Sequence, residues 1–154
     1  MKSRENKFSL SSSEPTRFKG GTLHTATRQQ FPALKGLSIQ ELRLDPGGIR
    51  EPHVHPNAAQ MDFVISGRGR VGIIGPSGER QLLDMNTGDV AFIPHGHVHW
   101  IENPWKEPMQ FMLIVNHEDP ETILLSDLIR SLPRDTVDRA YGGASGLQGL
   151  LPTK

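Results

Sequence analysis

The 154-residue sequence has no cysteine, no excess of charge of either sign, and no apolar run near the roughly 18 residues of a membrane span. The first absence removes disulfides, thiolate nucleophiles and zinc–thiolate sites together, leaving His, carboxylate and amide oxygen as metal donors. Lys plus Arg number 17 and Asp plus Glu number 17, so no net field draws the chain to nucleic acid or to an anionic membrane. A small-molecule partner fits that balance. The opening residues MKSRENKFSLSSSEP lack the apolar run of a signal peptide, and the compartment expected from this is the cytoplasm.

What is plentiful is turn chemistry. Sixteen Gly and twelve Pro are spread along the chain instead of pooled in a linker, which suits short strands and tight turns better than a helical bundle. The length fits one domain. Runs rich in Val, Ile, Leu and Phe recur at residues 37–44, 60–66, 70–75, 80–84, 90–93, 97–102 and 110–116, and read as a meander of strands. Pro46-Gly47-Gly48, Ser66-Gly67, Gly75-Pro76-Ser77-Gly78 and Thr87-Gly88-Asp89 divide them. The fold class expected is all-β, a barrel over residues 22–118. An N-terminal arm (1–21), mobile or laid across a partner subunit, precedes it; two short helices (119–142) and a flexible tail (143–154) follow. Ser126 is placed to cap the first helix, through Ile129, and Pro133 to open the second, which Gly142 or Gly143 would stop.

Five of the seven histidines fall between residues 53 and 99. On a strand, positions i and i+2 share a face, so His53 and His55 can aim both rings at one point while Val54 points away. Gln60 on the next strand and His99 on a much later one complete a donor set of three imidazoles and one amide oxygen. Such a set suits manganese, iron, cobalt, nickel or zinc better than calcium. His24 and His117 read as ordinary structural or surface residues. His95 lies in a turn, and His97 shares the face of His99 at the cavity mouth.

Two segments carry a family resemblance. PGGIREPHVHPNAAQMDFVISG, residues 46–67, resembles the first cupin motif, a Gly, His-x-His, an acidic residue and a Gly, failing only at the acidic position. GDVAFIPHGHVHWIEN, residues 88–103, fits the second, Gly-x5-Pro-x-Gly-x2-His-x3-Asn, at Gly88, Pro94, Gly96, His99 and Asn103. Nearly the whole chain is similar to one half of the two-domain oxalate decarboxylases, and more distantly to germin-like cupins. The resemblance implies a jelly-roll barrel with a manganese ion on His53, His55 and His99, Gln60 standing where the family has a ligand Glu. It further implies that Arg50 lies beside the substrate, and it places Asp119, with Glu118 adjacent, nearest a proton-donating Glu on a mobile lid.

An amide in place of a ligand carboxylate takes one negative charge from the centre, which weakens metal affinity, strengthens the hold on anions and disfavours a trivalent ion. Asp62, two residues beyond Gln60 and on its face, could restore that charge, act as a base, displace Gln60 from the metal, or pair with Arg50 or Arg70. The expectation is a metal-dependent enzyme acting on a small carboxylate by lyase, isomerase or oxygenase chemistry, with Arg50, Asp62 and Asp119 as its catalytic groups. The alternative is a cupin that binds a metabolite without turnover; a structural barrel with an adventitious site is a third. A homodimer is expected under each. Trp100 should face the C-terminal helices or a subunit interface, Trp105 should pack at the rim, and Phe92, Ile101, Phe111, Leu113 and Val115 should be barrel or interface core.

Overall fold

The computed structural model describes residues 6–140 and 151. Among these, strands β1 (Thr16–Phe18), β2 (Gly21–Ala26), β3 (Ser38–Leu44), β4 (Ile49–Val54), β5 (Gln60–Ser66), β6 (Arg68–Ile74), β7 (Arg80–Asn86), β8 (Val90–Ile93), β9 (Val98–Glu102), β10 (Met109–Val115) and β11 (Ile123–Leu124) precede helices α1 (Leu125–Ser131) and α2 (Arg134–Ala140). The strands form a six-stranded antiparallel sheet, ordered β1-β2-β3-β10-β5-β8, and a five-stranded one, β11-β4-β9-β6-β7.

That order corrects the meander. From β3 onward the chain changes sheet at almost every turn, so β4 pairs with β9 instead of with β3 or β5, and β3 pairs on one side with β2 and on the other with β10. The turn signals were real: Gly67 bends β5 into β6 at φ 78°, where a Cβ would press on the Pro108 carbonyl. Turn chemistry fixes where a strand stops, however, and not which sheet receives the next one. The result is an all-β jelly-roll sandwich with two short helices.

The core lies between the sheets and follows strand parity. Leu42 and Leu44 of β3, Val64 of β5 and Phe111 and Leu113 of β10 meet Val71 and Ile73 of β6 and Ile101 of β9, each nearly or fully buried. Full burial of each such side chain stabilises by roughly 1.5–3 kcal/mol. Phe92 lies outside the barrel core, which leaves the interface alternative for it. It is 61% exposed on the outer face, beside Val90 at 55%, because Ala91 and Ile93 take the inward positions of β8. Trp100 lies over Gly72 of β6, whose missing side chain makes the space. Trp105 sits at the rim under the Arg68 guanidinium, 4.5 Å from the ring centroid.

Three further readings change. The expected arm is part of the sheet from Thr16, with Phe18 opposite Gly21 in a tight β1–β2 turn, and Ser11 and Ser13 bond to the same sheet's Glu41 and His24. The helical segment begins at Leu125, not 119, and Ser126 does not cap it: its hydroxyl donates to Glu51 at 2.8 Å. The expected helix stop at Gly142 or Gly143, and the tail apart from Leu151, lie outside the described residues.

Glu41 anchors the N-terminal segment on the outer face of the six-stranded sheet. It is 2% exposed and accepts from Ser11, Arg43 and Gln110. Burial alone would raise its pKa, but these three hydrogen bonds and the Arg43 charge outweigh it and hold the carboxyl below its usual range. A carboxylate with a depressed folded-state pKa contributes stability above its unfolded value, lost as pH falls through the folded one. Glu41→Gln should therefore cost about 1–3 kcal/mol at pH 7 in urea unfolding. The gap from the unaltered protein should close as pH falls below about 4.

Candidate metal centre

One end of the sandwich carries polar groups where the other carries Leu and Val. His53 on β4 and His99 on β9 are direct register partners, with ring centroids 4.2 Å apart. His55, just past β4, brings its ring to 5.1 and 5.2 Å from those two. All three are nearly fully buried, and their potential ligand atoms lie within 4.8 Å of one another. The opposite sheet supplies Gln60, 2% exposed, whose Oε1 stands 3.0 Å from His55 Nε2. The four predicted donors therefore converge, drawn from both sheets.

Their protonation follows from their partners. A carbonyl only accepts, so each imidazole donates its Nδ1–H to the main chain: His53 to Glu51 at 2.7 Å, His55 to Glu121 at 2.7 Å, His99 to His97 at 3.1 Å. A neutral imidazole carries one N–H, which leaves every Nε2 a bare lone pair. A second proton is opposed. Burial, then the charges of neighbouring His and Arg50, pushes His53 well below its usual pKa; burial foremost lowers His55, and takes His99 to about 4.

The result is a polar contradiction that a cation resolves. His55 Nε2 and Gln60 Oε1 face each other at 3.0 Å with no hydrogen between them, and His99 Nε2 is buried without a partner. An orphaned buried acceptor costs about 1–3 kcal/mol. Lone pairs converging from three imidazoles and an amide fit a borderline divalent ion.

Asp62, fully buried, accepts from Gln60 Nε2 at 2.8 Å, and this bond turns the amide oxygen toward the histidines. Its other oxygen is buried and unpartnered, and burial raises its pKa to about 7. The expected alternative pairing with Arg70 does not form, since Arg70 bonds Asp84 at 2.6 Å and lies 3.7 Å from Glu102. Arg50 pairs in register with inward-facing Ile101, and its charge bears on all three histidines. It also lines a cavity of about 860 Å³ with Phe18, Glu51, Leu124 and Arg130. Asp119 is elsewhere: its carboxylate accepts from Gln29 at 3.2 and 3.3 Å on an exposed loop. His97 contributes its carbonyl to His99, and its ring bonds the His95 carbonyl at 3.2 Å. His24 holds the Ser13 carbonyl at 2.9 Å, and His117 accepts from the Asp119 N–H at 3.1 Å.

A family model described as cupin matches residues 8–146. The chain belongs to the cupin family. Among curated relatives, this cupin is 28% identical to Bacillus subtilis oxalate decarboxylase over 84% of its own length and 34% of the other's. It is 34% identical to nectarin-1 of Nicotiana plumbaginifolia over 79% of its length and 56% of the other's. It thus spans about a third of the first relative and just over half of the second. A solved structure whose subject is the Mn(II) centres of the Bacillus enzyme is 26% identical, with a TM-score of 0.87 over 94% of this chain and 38% of that one.

Sequence reasoning missed the group that orients His55. It is the Glu121 carbonyl, whose own N–H donates to Asn57 at 2.9 Å; a main-chain acceptor leaves no mark in residue type. In the second motif, Asn103 proves structural, donating to the Leu44 and Glu107 carbonyls at 3.2 and 2.8 Å.

Gln60→Glu should act with opposite signs in two states. Without metal it sets two carboxylates side by side in place of the 2.8 Å amide–carboxylate bond and should lower the melting temperature measured in chelator. With metal it adds a ligand charge and should tighten divalent-cation binding by about tenfold, roughly 1.4 kcal/mol, in a competition titration.

Proposed function

We propose that this cupin is a divalent-metal enzyme acting on a small carboxylate, with His53, His55, Gln60 and His99 as ligands and manganese as the first candidate ion. The observation that carries the reading is three buried imidazoles with bare Nε2 lone pairs whose ligand atoms lie within 4.8 Å of one another, that of His55 facing the Gln60 oxygen at 3.0 Å. The Mn(II) centres of the Bacillus relative support the choice of metal. When bound, the ion supplies Lewis acidity to a coordinated oxygen.

The remaining roles belong to the chain. Three neutral imidazoles and an amide add no negative charge, so the centre favours an anion, and the half-buried Arg50 guanidinium, on the lining of the cavity, is suited to grip a carboxylate in two-point fashion. Asp62 orients the Gln60 amide and, with one oxygen free and no cation paired to it, accepts or returns a proton. Burial excludes water from Asp62, while Arg50 faces the cavity through which an acid would enter.

A second reading, binding without turnover, is favoured by Asp119. Its carboxylate is engaged by Gln29 outside the centre, so the proton donor implied by the resemblance does not face the ligands. The two readings part in a panel of small acids, oxalate included, incubated with manganese-, iron- and nickel-loaded protein. The enzyme reading expects product with at least one pair; tight calorimetric binding of an unchanged acid establishes the other. Arg50→Ala should weaken acid binding by about ten- to a hundredfold, and unchanged affinity removes Arg50 from the site.

We further place homodimerisation on the outer face of the six-stranded sheet. Phe92 and Val90 there are register partners of Met61 and Phe63, which are 38% and 39% exposed. Four adjacent apolar side chains form a patch of the kind that marks an interface. Sedimentation should give a dimer, and Phe92→Asp a monomer.

A further inference from the structure

We propose that Glu118 is a positioning residue for the metal ligand His55, acting through the segment 116–122; the inference rests on the metal-centre reading above.

The three imidazoles are not held alike. His53 and His99 each donate to a carbonyl two residues earlier in the chain, Glu51 and His97, so their own local backbone orients them. His55 donates instead to Glu121, 66 residues further on, in a stretch that belongs to neither sheet. The orientation of one ligand therefore depends on where that stretch lies.

Glu118 fastens it. Its carboxylate takes the Arg28 guanidinium and, at 2.9 Å, the Gly36 N–H, while its carbonyl accepts the Arg28 N–H at 2.9 Å. The Gly36 amide first, and then Arg28, hold its carboxyl below the usual range. A lone surface ion pair contributes little, but here one residue is held at both its side chain and its main chain by the loop at 27–36. Beyond it, Gln29 takes the Asp119 carboxylate and Asn57 receives the Glu121 N–H at 2.9 Å. The path runs from Arg28 to Glu118 by contact, along the backbone from Glu118 to Glu121, and from the Glu121 carbonyl to His55.

Two sites joined this way are coupled reciprocally. An ion that fixes the His55 ring steadies the segment, and releasing the segment loosens a ligand. Outer groups that orient a metal-bound His change affinity by about 10- to 100-fold.

The test uses the full chain with zinc, a diamagnetic probe ion, and compares Glu118→Ala and Arg28→Ala with Asp84→Ala, which cuts a surface ion pair to Arg70 instead. Zinc affinity, by competition with a chromophoric chelator, should fall about tenfold in the first two and stay unchanged in the third. In metal-free protein, imidazole NMR should lose the slowly exchanging Nδ1–H of His55 and keep those of His53 and His99. Unchanged zinc affinity, or a retained His55 signal, overturns the proposal. Should the unaltered protein take no zinc, manganese or iron, the metal-centre reading fails, while the imidazole signals still decide whether Glu118 positions His55.

Discussion

Three imidazole N–H groups each hold a main-chain carbonyl, and the rest of the centre depends on those bonds. They select one tautomer for every ring, and with it three lone pairs directed inward. Without them each ring could turn over and offer a proton where a ligand atom is needed. Burial reinforces the choice by disfavouring the imidazolium. The three rings thus present only acceptors to the centre, a donor set that fits a divalent cation.

The Gln60–Asp62 pair refines this. In the cupins that this chain resembles, a carboxylate occupies the ligand position, whereas here an amide does, and the carboxyl of Asp62, its pKa raised to about 7 by burial, sits two residues along the same strand. The carboxyl group has moved back from the ligand position without leaving the cavity. The amide N–H that Asp62 holds fixes the orientation of the neutral Gln60 side chain. On the proposed reading the centre would keep its attraction for acids while surrendering part of its grip on metal.

Much of this was legible before any coordinates. Parity put His53 and His55 on one face because a strand's period of two is local geometry that residue type records, whereas His99 was brought in by the resemblance to the second cupin motif. The inward placement of Asp62 followed from the same period of two. Strand order was not legible: β4 lies beside β9 through packing between distant segments, and nothing in the turns between them specifies it. The N-terminal strand was hidden for a related reason. Thr16–Phe18 has no alternating apolar pattern, and it is held by its pairing with β2 and by the polar contacts to Glu41 and His24. Asp119 shows a different limit, since motif alignment assigned it a position along the chain but not the direction of its side chain.

The donors come from both sheets: His53, His55 and His99 from the five-stranded one, Gln60 from the other. A chain without cysteine has no disulfide to fasten the two halves of its sandwich, and on the proposed reading coordination across the gap would do that work reversibly. A ligand that binds only the folded form adds to its stability in proportion to the logarithm of its free concentration. On the proposed reading the seam of this fold would therefore be adjustable. How firmly the two layers are stitched would then be set by the metal supply around the protein, so starvation for the ion would loosen the scaffold as well as silence the site.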